Sequence, residues 1–460
     1  MKRRGFFRNL FLGILLGAGL TFSPGCTFLL GLVGVMALVL HWSSPLKERR
    51  FVVLVFVAGF LVRALFSLGL DLTAWAIQGE RPFGLVPSPY SEALMGVDKS
   101  RSLFRTGDSD YYATRSYGIA LYAKGLRDSY AHGSRYQEYG WNGYLLVSGF
   151  FNFLFGFSPV GSKWLNCFWG ALVAPLVYFL ARFLFPILVA RWASLAVAFL
   201  PSLIFWSASN LKDSALIALG VLLLLSWARW QLAPPGARRW PWAALFCLGV
   251  LLHMGMRSEF YTYALIVCLA VSLWVTRFAR KRFTLLLSAV AILVLGWIFR
   301  GELKSLFAYA LVFHLGHAFT RPGVVYYFLP DFLYDKGNLE LISFNFPFLF
   351  IAARAVFHFL LEPLPWREGS LMRFLAIPQL SFWYVALPLA FLGAAFSLIQ
   401  KRRDSLFLFL TMACWTLMGA LTNANVGTVF RVRDMVTPFF LIYASAGLWL
   451  LLRKGNLQPP

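Results

Sequence analysis

The sequence predicts an all-α, polytopic integral membrane helical bundle of about twelve transmembrane helices, with juxtamembrane helices in the outer loops. Three observations carry that prediction. Of 460 residues, 59% are hydrophobic and only 13% are charged, whereas soluble domains carry roughly a quarter charged residues. Mean hydropathy is +0.68, more than a single soluble core of this size can hide. Aromatics reach 18%, with 47 Phe and 17 Trp, which suits lipid-facing surfaces and interfacial belts. These values argue against a soluble enzyme, a disordered chain and a secreted disulfide scaffold. The five cysteines all lie in apolar stretches without ligand spacing and read as small buried hydrophobes.

The elements follow in order. Met1-Lys2-Arg3-Arg4 and an apolar run to Leu20 have the look of a signal peptide. No small-residue cleavage site follows, and a second apolar run begins near Cys26, so a retained hairpin over residues 1–50 is expected. A helix rises about 1.5 Å per residue, so roughly 20 apolar residues cross the hydrocarbon. Apolar runs at 9–23, 26–42, 51–70, 164–183, 190–208, 214–230, 241–256, 260–276, 283–299, 378–399, 405–421 and 436–452 give the expected spans. Two shorter stretches, 143–158 and 346–361, read as helices lying on or dipping into the membrane. Residues 51–460 are expected to form one membrane domain.

Orientation comes from the short loops. Basic residues cluster at 2–8, 47–50, 229–239, 277–282, 401–403 and 453–454. Placing all six groups in the cytoplasm puts both termini there. Two long segments, about 71–142 and 300–378, then lie outside, with short outer turns at 210–213, 257–259 and 422–434. The net charge of +23 is assigned mainly to this bias and to anionic headgroups, not to nucleic acid.

Chemistry-bearing residues gather at the expected outer face. Gly107-Asp108-Ser109-Asp110-Tyr111-Tyr112-Ala113 carries two carboxylates two apart. A carboxylate there serves as general base, as metal ligand, or as the cap of a helix starting near Tyr111. A DxD pattern facing outward does not meet nucleotide sugars, and a lipid-linked donor is the consistent alternative. Ser209-Asn210-Leu211-Lys212-Asp213-Ser214 joins two apolar runs. Lys212 is placed near a phosphate and Asp213 near a metal or acceptor, against a snorkelling Lys-Asp stop. Arg257-Ser258-Glu259 offers a bidentate phosphate grip or a local ion pair. Arg431 and Arg433, with Asp434, sit in a short outer turn against the positive-inside bias. Arg63 lies inside an apolar run, where an Arg faces the bundle interior or snorkels. His314 and His317 are three apart, with no third zinc ligand evident in the sequence.

The order of these features resembles the GT-C superfamily of polyprenyl-phosphate-dependent glycosyltransferases, in the branch of the protein mannosyltransferases and the lipid A aminoarabinose transferase. Arg63 near the outer end of a span, then Asp108, Tyr112 and Ala113 in the first outer loop, match the family's opening pattern. The aromatic-rich stretch Tyr139 to Phe157 ends in Leu154-Phe155-Gly156-Phe157, like the family's Phe-Gly turn. Tyr178-Phe179-Leu180-Ala181-Arg182 and then Leu200-Pro201 through Asp213 complete it. The resemblance covers about residues 51–230, and order and spacing carry its weight. Ser109 stands where an acidic residue often follows the first Asp, and the extra soluble outer domain of some members is missing.

The resemblance implies an inverting membrane glycosyltransferase at the outer face, in a bacterial inner membrane. Asp108 and Asp213 are the catalytic candidates. Asp110, Tyr112, Lys212, Arg257, Arg431 and Arg433 are the substrate-binding ones. A divalent cation held by Asp108 and Asp213 is the one cofactor left open. The partners implied are a polyprenyl-phosphate sugar donor, a glycan, lipid or protein acceptor, and membrane lipids. A transporter of polysaccharide or lipid-linked oligosaccharide, or an oligosaccharide polymerase or ligase, are the alternatives.

Overall fold

The computed structural model describes residues 23–78, 107–126, 143–156, 158–232, 238–256, 259–277, 298, 300–320, 346–364, 371–400 and 403–453. Every regular element among them is helical. In chain order these are α1 (Pro24–Ser43), α2 (Arg49–Gln78), α3 (Gly107–Ala123), α4 (Gly143–Phe155), α5 (Pro159–Leu184), α6 (Ile187–Phe199), α7 (Pro201–Ser207) and α8 (Asp213–Gln231). They continue as α9 (Trp240–Met256), α10 (Glu259–Arg277), α11 (Arg300–Thr320), α12 (Phe346–Leu361), α13 (Leu371–Ile399), α14 (Leu406–Thr422), α15 (Val426–Arg433) and α16 (Thr437–Leu452).

The chain divides into two compact units. The first comprises Met1–Phe179, Ser194–Leu223 and Phe246–Arg257. The second comprises Leu180–Ala193, Leu224–Leu245 and Ser258–Pro460.

In the first unit α1 packs on α2 and α4, α3 packs on α4, and α2 packs on α7. Helix α1 buries only Gly25, Leu29, Val33 and Leu40, a stripe near one helical face. Several of its other apolar residues, such as Val35 and Leu38, are exposed and suit lipid contact. Helix α4 ends at Phe155, and Gly156 follows with φ +77°, a conformation that favours glycine. This is the turn expected at Phe155-Gly156. Glycines let α3 and α4 meet closely, since a Cβ on Gly149 would lie 2.9 Å from the Ile119 side chain.

In the second unit α16 is the central element. Every residue from Thr437 to Gly447 is buried. It lies along α13 with backbone against backbone: a Cβ on Gly393 would strike the Tyr443 carbonyl, and one on Gly447 the Leu389 carbonyl. Small residues permit such approach where lipid gives helices little hydrophobic reason to associate. Helix α14 packs on α10, α11, α12 and α15. His314 is fully buried on α11, while the His317 side chain lies outside the described set.

Five helical segments are long and apolar enough to cross a membrane: Pro24–Ser43, Arg49–Thr73, Val160–Leu184, Asp213–Gln231 and Ile377–Ile399. The bent pairs α6–α7 (51°) and α15–α16 (62°) raise the number to as many as seven. The expected twelve are not reached among the described residues. The runs 9–23 and 283–299 lie outside them except for residues 23 and 298. The runs at 241–256 and 405–421 form apolar helices of 17 residues each, and the run 260–276 lies within the 19-residue α10, whose apolar part is Tyr261–Thr276. A helix of 17 residues extends about 26 Å, at the lower end of what crosses a hydrocarbon core of roughly 30 Å. Burial divides the spans further: 22% of the α1 window is buried, against 83% for α8. The stretches expected to be juxtamembrane form the short helices α4 and α12.

Candidate active site

The first unit brings two of the expected constellations together. Helix α3 begins at Gly107, so Asp108, Ser109 and Asp110 occupy its first turn. The expected start near Tyr111 is therefore about one turn too late, and Asp108 lies inside the helix. A carboxylate in a first turn is favoured by the helix dipole, by about 0.3–1 kcal/mol. The side chains of Asp108 and Asp110 lie outside the described set. Ser109, between them, is buried, and its Oγ accepts the Asn210 backbone N–H at 3.2 Å. That bond joins the first turn of α3 to the segment that connects α7 with α8.

The connecting segment is held from two further sides. Asn166, buried on α5, donates through Nδ2 to the Ser209 carbonyl at 2.6 Å and also to the Leu211 carbonyl. The Tyr144 hydroxyl, at the start of α4, donates to Asn210 Oδ1 at 2.7 Å. Tyr144 is fully buried and meets Tyr112 edge to face, with ring centroids 5.3 Å apart. Burial raises the Tyr144 phenol above its ordinary range, and the Asp213 charge pushes the same way. The phenol therefore stays a hydrogen-bond donor. Below this layer Tyr112, Tyr144, Leu145, Leu211, Leu216 and Met256 form one apolar cluster.

Asp213 is the first residue of α8 and is 1% exposed, as the pattern of an Asp opening the next span requires. Lys212, beside it, is half-buried. Met256 ends α9 and packs in the same cluster, and the next residue, Arg257, lies outside the described set. A Cβ on Gly143 would lie 3.0 Å from the Gly255 carbonyl, so the ends of α4 and α9 are in contact. Tyr112 and Asp213 thus share one neighbourhood, with Asp108 and Asp110 on the helical turn bonded to it.

Arg431 and Arg433 belong to the second unit, and the segment expected as a turn there is the short helix α15. Asn425 caps it, accepting the Thr428 N–H at 3.1 Å. Arg433 is 1% exposed, and its Nη1 donates to the carbonyls of Leu360 (2.9 Å) and Glu362 (2.7 Å). Its guanidinium also lies over Trp383 and Phe430. It therefore ties α15 to the end of α12. Arg431 is half-buried.

Among the described residues no group of three or more His, Cys, Asp or Glu side chains gathers as a metal site. Residues that sequence reasoning missed are Asn166 and Tyr144, which fix the connecting segment. Asn166 had a weak signal, a lone amide inside the apolar run 164–183. The Asp71–Lys163 ion pair between α2 and α5 was also missed.

Among the described residues every element is helical, and α3, which carries Asp108 and Asp110, is bonded to the connection that carries Lys212 and Asp213. Residues 104–315 match the family model of the dolichyl-phosphate-mannose-protein mannosyltransferases, a GT-C family. No curated protein matches the chain. The matched segment begins just before Asp108 and contains Tyr112, Lys212, Asp213 and Arg257. The match supports a membrane glycosyltransferase that draws on a polyprenyl-phosphate-linked sugar.

Proposed function

We propose that the chain transfers a sugar from a polyprenyl phosphate to a hydroxyl of a glycan, lipid or protein, at the outer face of a bacterial inner membrane, with inversion at the anomeric carbon. The single observation that carries this reading is the Ser109–Asn210 hydrogen bond. It supports a site in which the first turn of α3 and the Lys212-Asp213 pair serve one reaction.

In this proposal Asp108 takes the proton of the acceptor hydroxyl as its oxygen attacks the anomeric carbon. The bond from that carbon to the phosphate oxygen breaks, and polyprenyl phosphate leaves with the electron pair. Lys212 and Arg257 neutralise the charge that grows on the leaving phosphate. Asp213 orients the acceptor, Asp110 binds its hydroxyls, and Tyr112 closes the apolar side of the site. The donor's long tail needs a groove open to lipid, which explains placing the chemistry among spans. Arg431 and Arg433 belong to the second unit, and the proposal rests on the first unit alone.

The test is transfer by purified protein in detergent. The probe is a panel of polyprenyl-phosphate sugars with a membrane extract as acceptor. Labelled product together with released polyprenyl phosphate is expected. A transporter gives neither without two compartments, and that result overturns the proposal. Transfer is also expected to persist in EDTA, because Ser109 stands where the family resemblance places a second acidic residue. Loss with EDTA and recovery with a divalent cation would reassign Asp108 and Asp213 as metal ligands.

A further inference from the structure

Arg63 sits within the span Arg49–Thr73, yet it is fully buried. The hydrogen bonds it makes reach no acidic partner. Its Nη1 donates to the Ala198 carbonyl at 2.7 Å and to the Gly59 carbonyl at 3.0 Å, and its Nη2 to the Val197 carbonyl at 3.4 Å.

The positions of those carbonyls explain the pairing. Helix α6 ends at Phe199, and α7 starts at Pro201, bent by 51°. In a continuous helix the Val197 carbonyl would accept the N–H of residue 201, but proline has none. The Ala198 carbonyl would accept from Ser202, which the bend turns away. At membrane depth such carbonyls have no water to bond. Arg63 supplies both missing donors and sets a positive charge at the negative end of the α6 dipole. Gly170 makes room for this arrangement. A Cβ there would lie 2.6 Å from the Ser207 Cβ and 3.0 Å from Arg63 Nε.

The consequence runs along the chain. Helix α7 is only seven residues long and ends at Ser207 on this same glycine. Two residues later the Ser209 carbonyl meets Asn166, which lies one helical turn before Gly170 on α5. One face of α5 therefore receives both the end of α7 and the connection that carries Lys212 and Asp213.

We propose that Arg63 is a positioning residue: it caps the broken span at Val197 and Ala198 and so sets where the Ser209–Asp213 segment lies. The assignment rests on the reading of that segment as part of the active site.

The test places a reporter cysteine at 212 (Lys212→Cys) and a control at the exposed Trp42 of α1 (Trp42→Cys). Each is labelled with a charged maleimide in the full chain, with the rate of the native cysteines subtracted. Arg63→Met is expected to change labelling at 212 by about two- to thirty-fold, the range of coupling between linked positions. Labelling at 42 stays unchanged, and Arg63→Lys, which keeps the charge and a donor, restores part of the parent rate. If Arg63→Met does not insert, Gly170→Ala crowds the same slot and is expected to shift 212 alone. An unchanged rate at 212 overturns the proposal, and so does an equal shift at both positions, which reports general loosening. Sugar transfer is read for Arg63→Met in the chain that keeps Lys212: a labelling shift at 212 without loss of that transfer leaves the cap in place and removes the segment from the active site. Loss of kcat with unchanged KM for the donor supports both.

Discussion

Asp108 and Asn166 carry different burdens, and their variants separate chemistry from scaffold. Replacing Asp108 with Asn removes the proposed base and keeps the shape, so transfer should fall about 10²–10⁴-fold with the melting temperature unchanged. Asn166→Leu strands the Ser209 and Leu211 carbonyls, at a cost of about 1–3 kcal/mol for each buried group left unpaired. That variant should lose both thermal stability and activity, as read by unfolding in detergent beside a transfer assay. Asp108 is singled out because an Asp followed by Tyr and Ala after a span is a pattern in one dimension. Asn166 is not, because its partners lie 43 and 45 positions away. Arg63 stood out as a charge in an apolar run, yet its acceptors are backbone carbonyls 134 and 135 positions on, which no side-chain pattern marks.

Helix ends were legible where proline or glycine punctuates the chain. Pro201 begins α7 and Gly156 closes α4, because one lacks an N–H and the other tolerates positive φ. Other helix bounds were not. Helix α2 runs on to Gln78 although its apolar run stops at 70. Helix α15 forms where a turn was expected, with Arg433 held by carbonyls from α12 and the residues after it. The close contact of α13 with α16 was also hidden, because Gly393 and Gly447 are 54 positions apart and unremarkable alone. Replacing either with Leu drives a side chain into the partner backbone. Overpacking of this kind costs about 1–3 kcal/mol or more, and each variant should unfold at lower temperature than the parent. An unchanged melting temperature would contradict this packing.

At the scale of the molecule, composition fixed the solvent: a chain with 59% hydrophobic residues folds as a helical bundle in lipid. The number of crossings was less legible, because apolar helices such as α9 and α14 are at the lower end of spanning length. The expected topology makes a direct prediction. Impermeant reagents applied to intact cells should reach a cysteine at 212 but not one at 238 or 453. Reaction at 453 and not at 212 would invert the topology and remove the outer-face assignment.

The central claim is that Asp108 is the base of a sugar transfer from polyprenyl phosphate. Its most direct test compares the parent chain with Asp108→Asn, each in the same membranes and supplied with labelled polyprenyl-phosphate sugars. Transfer by the parent with loss in the variant, at equal protein and equal melting temperature, is the predicted result. Equal transfer by both would contradict it and leave Asp108 as a residue of the α3 first turn alone.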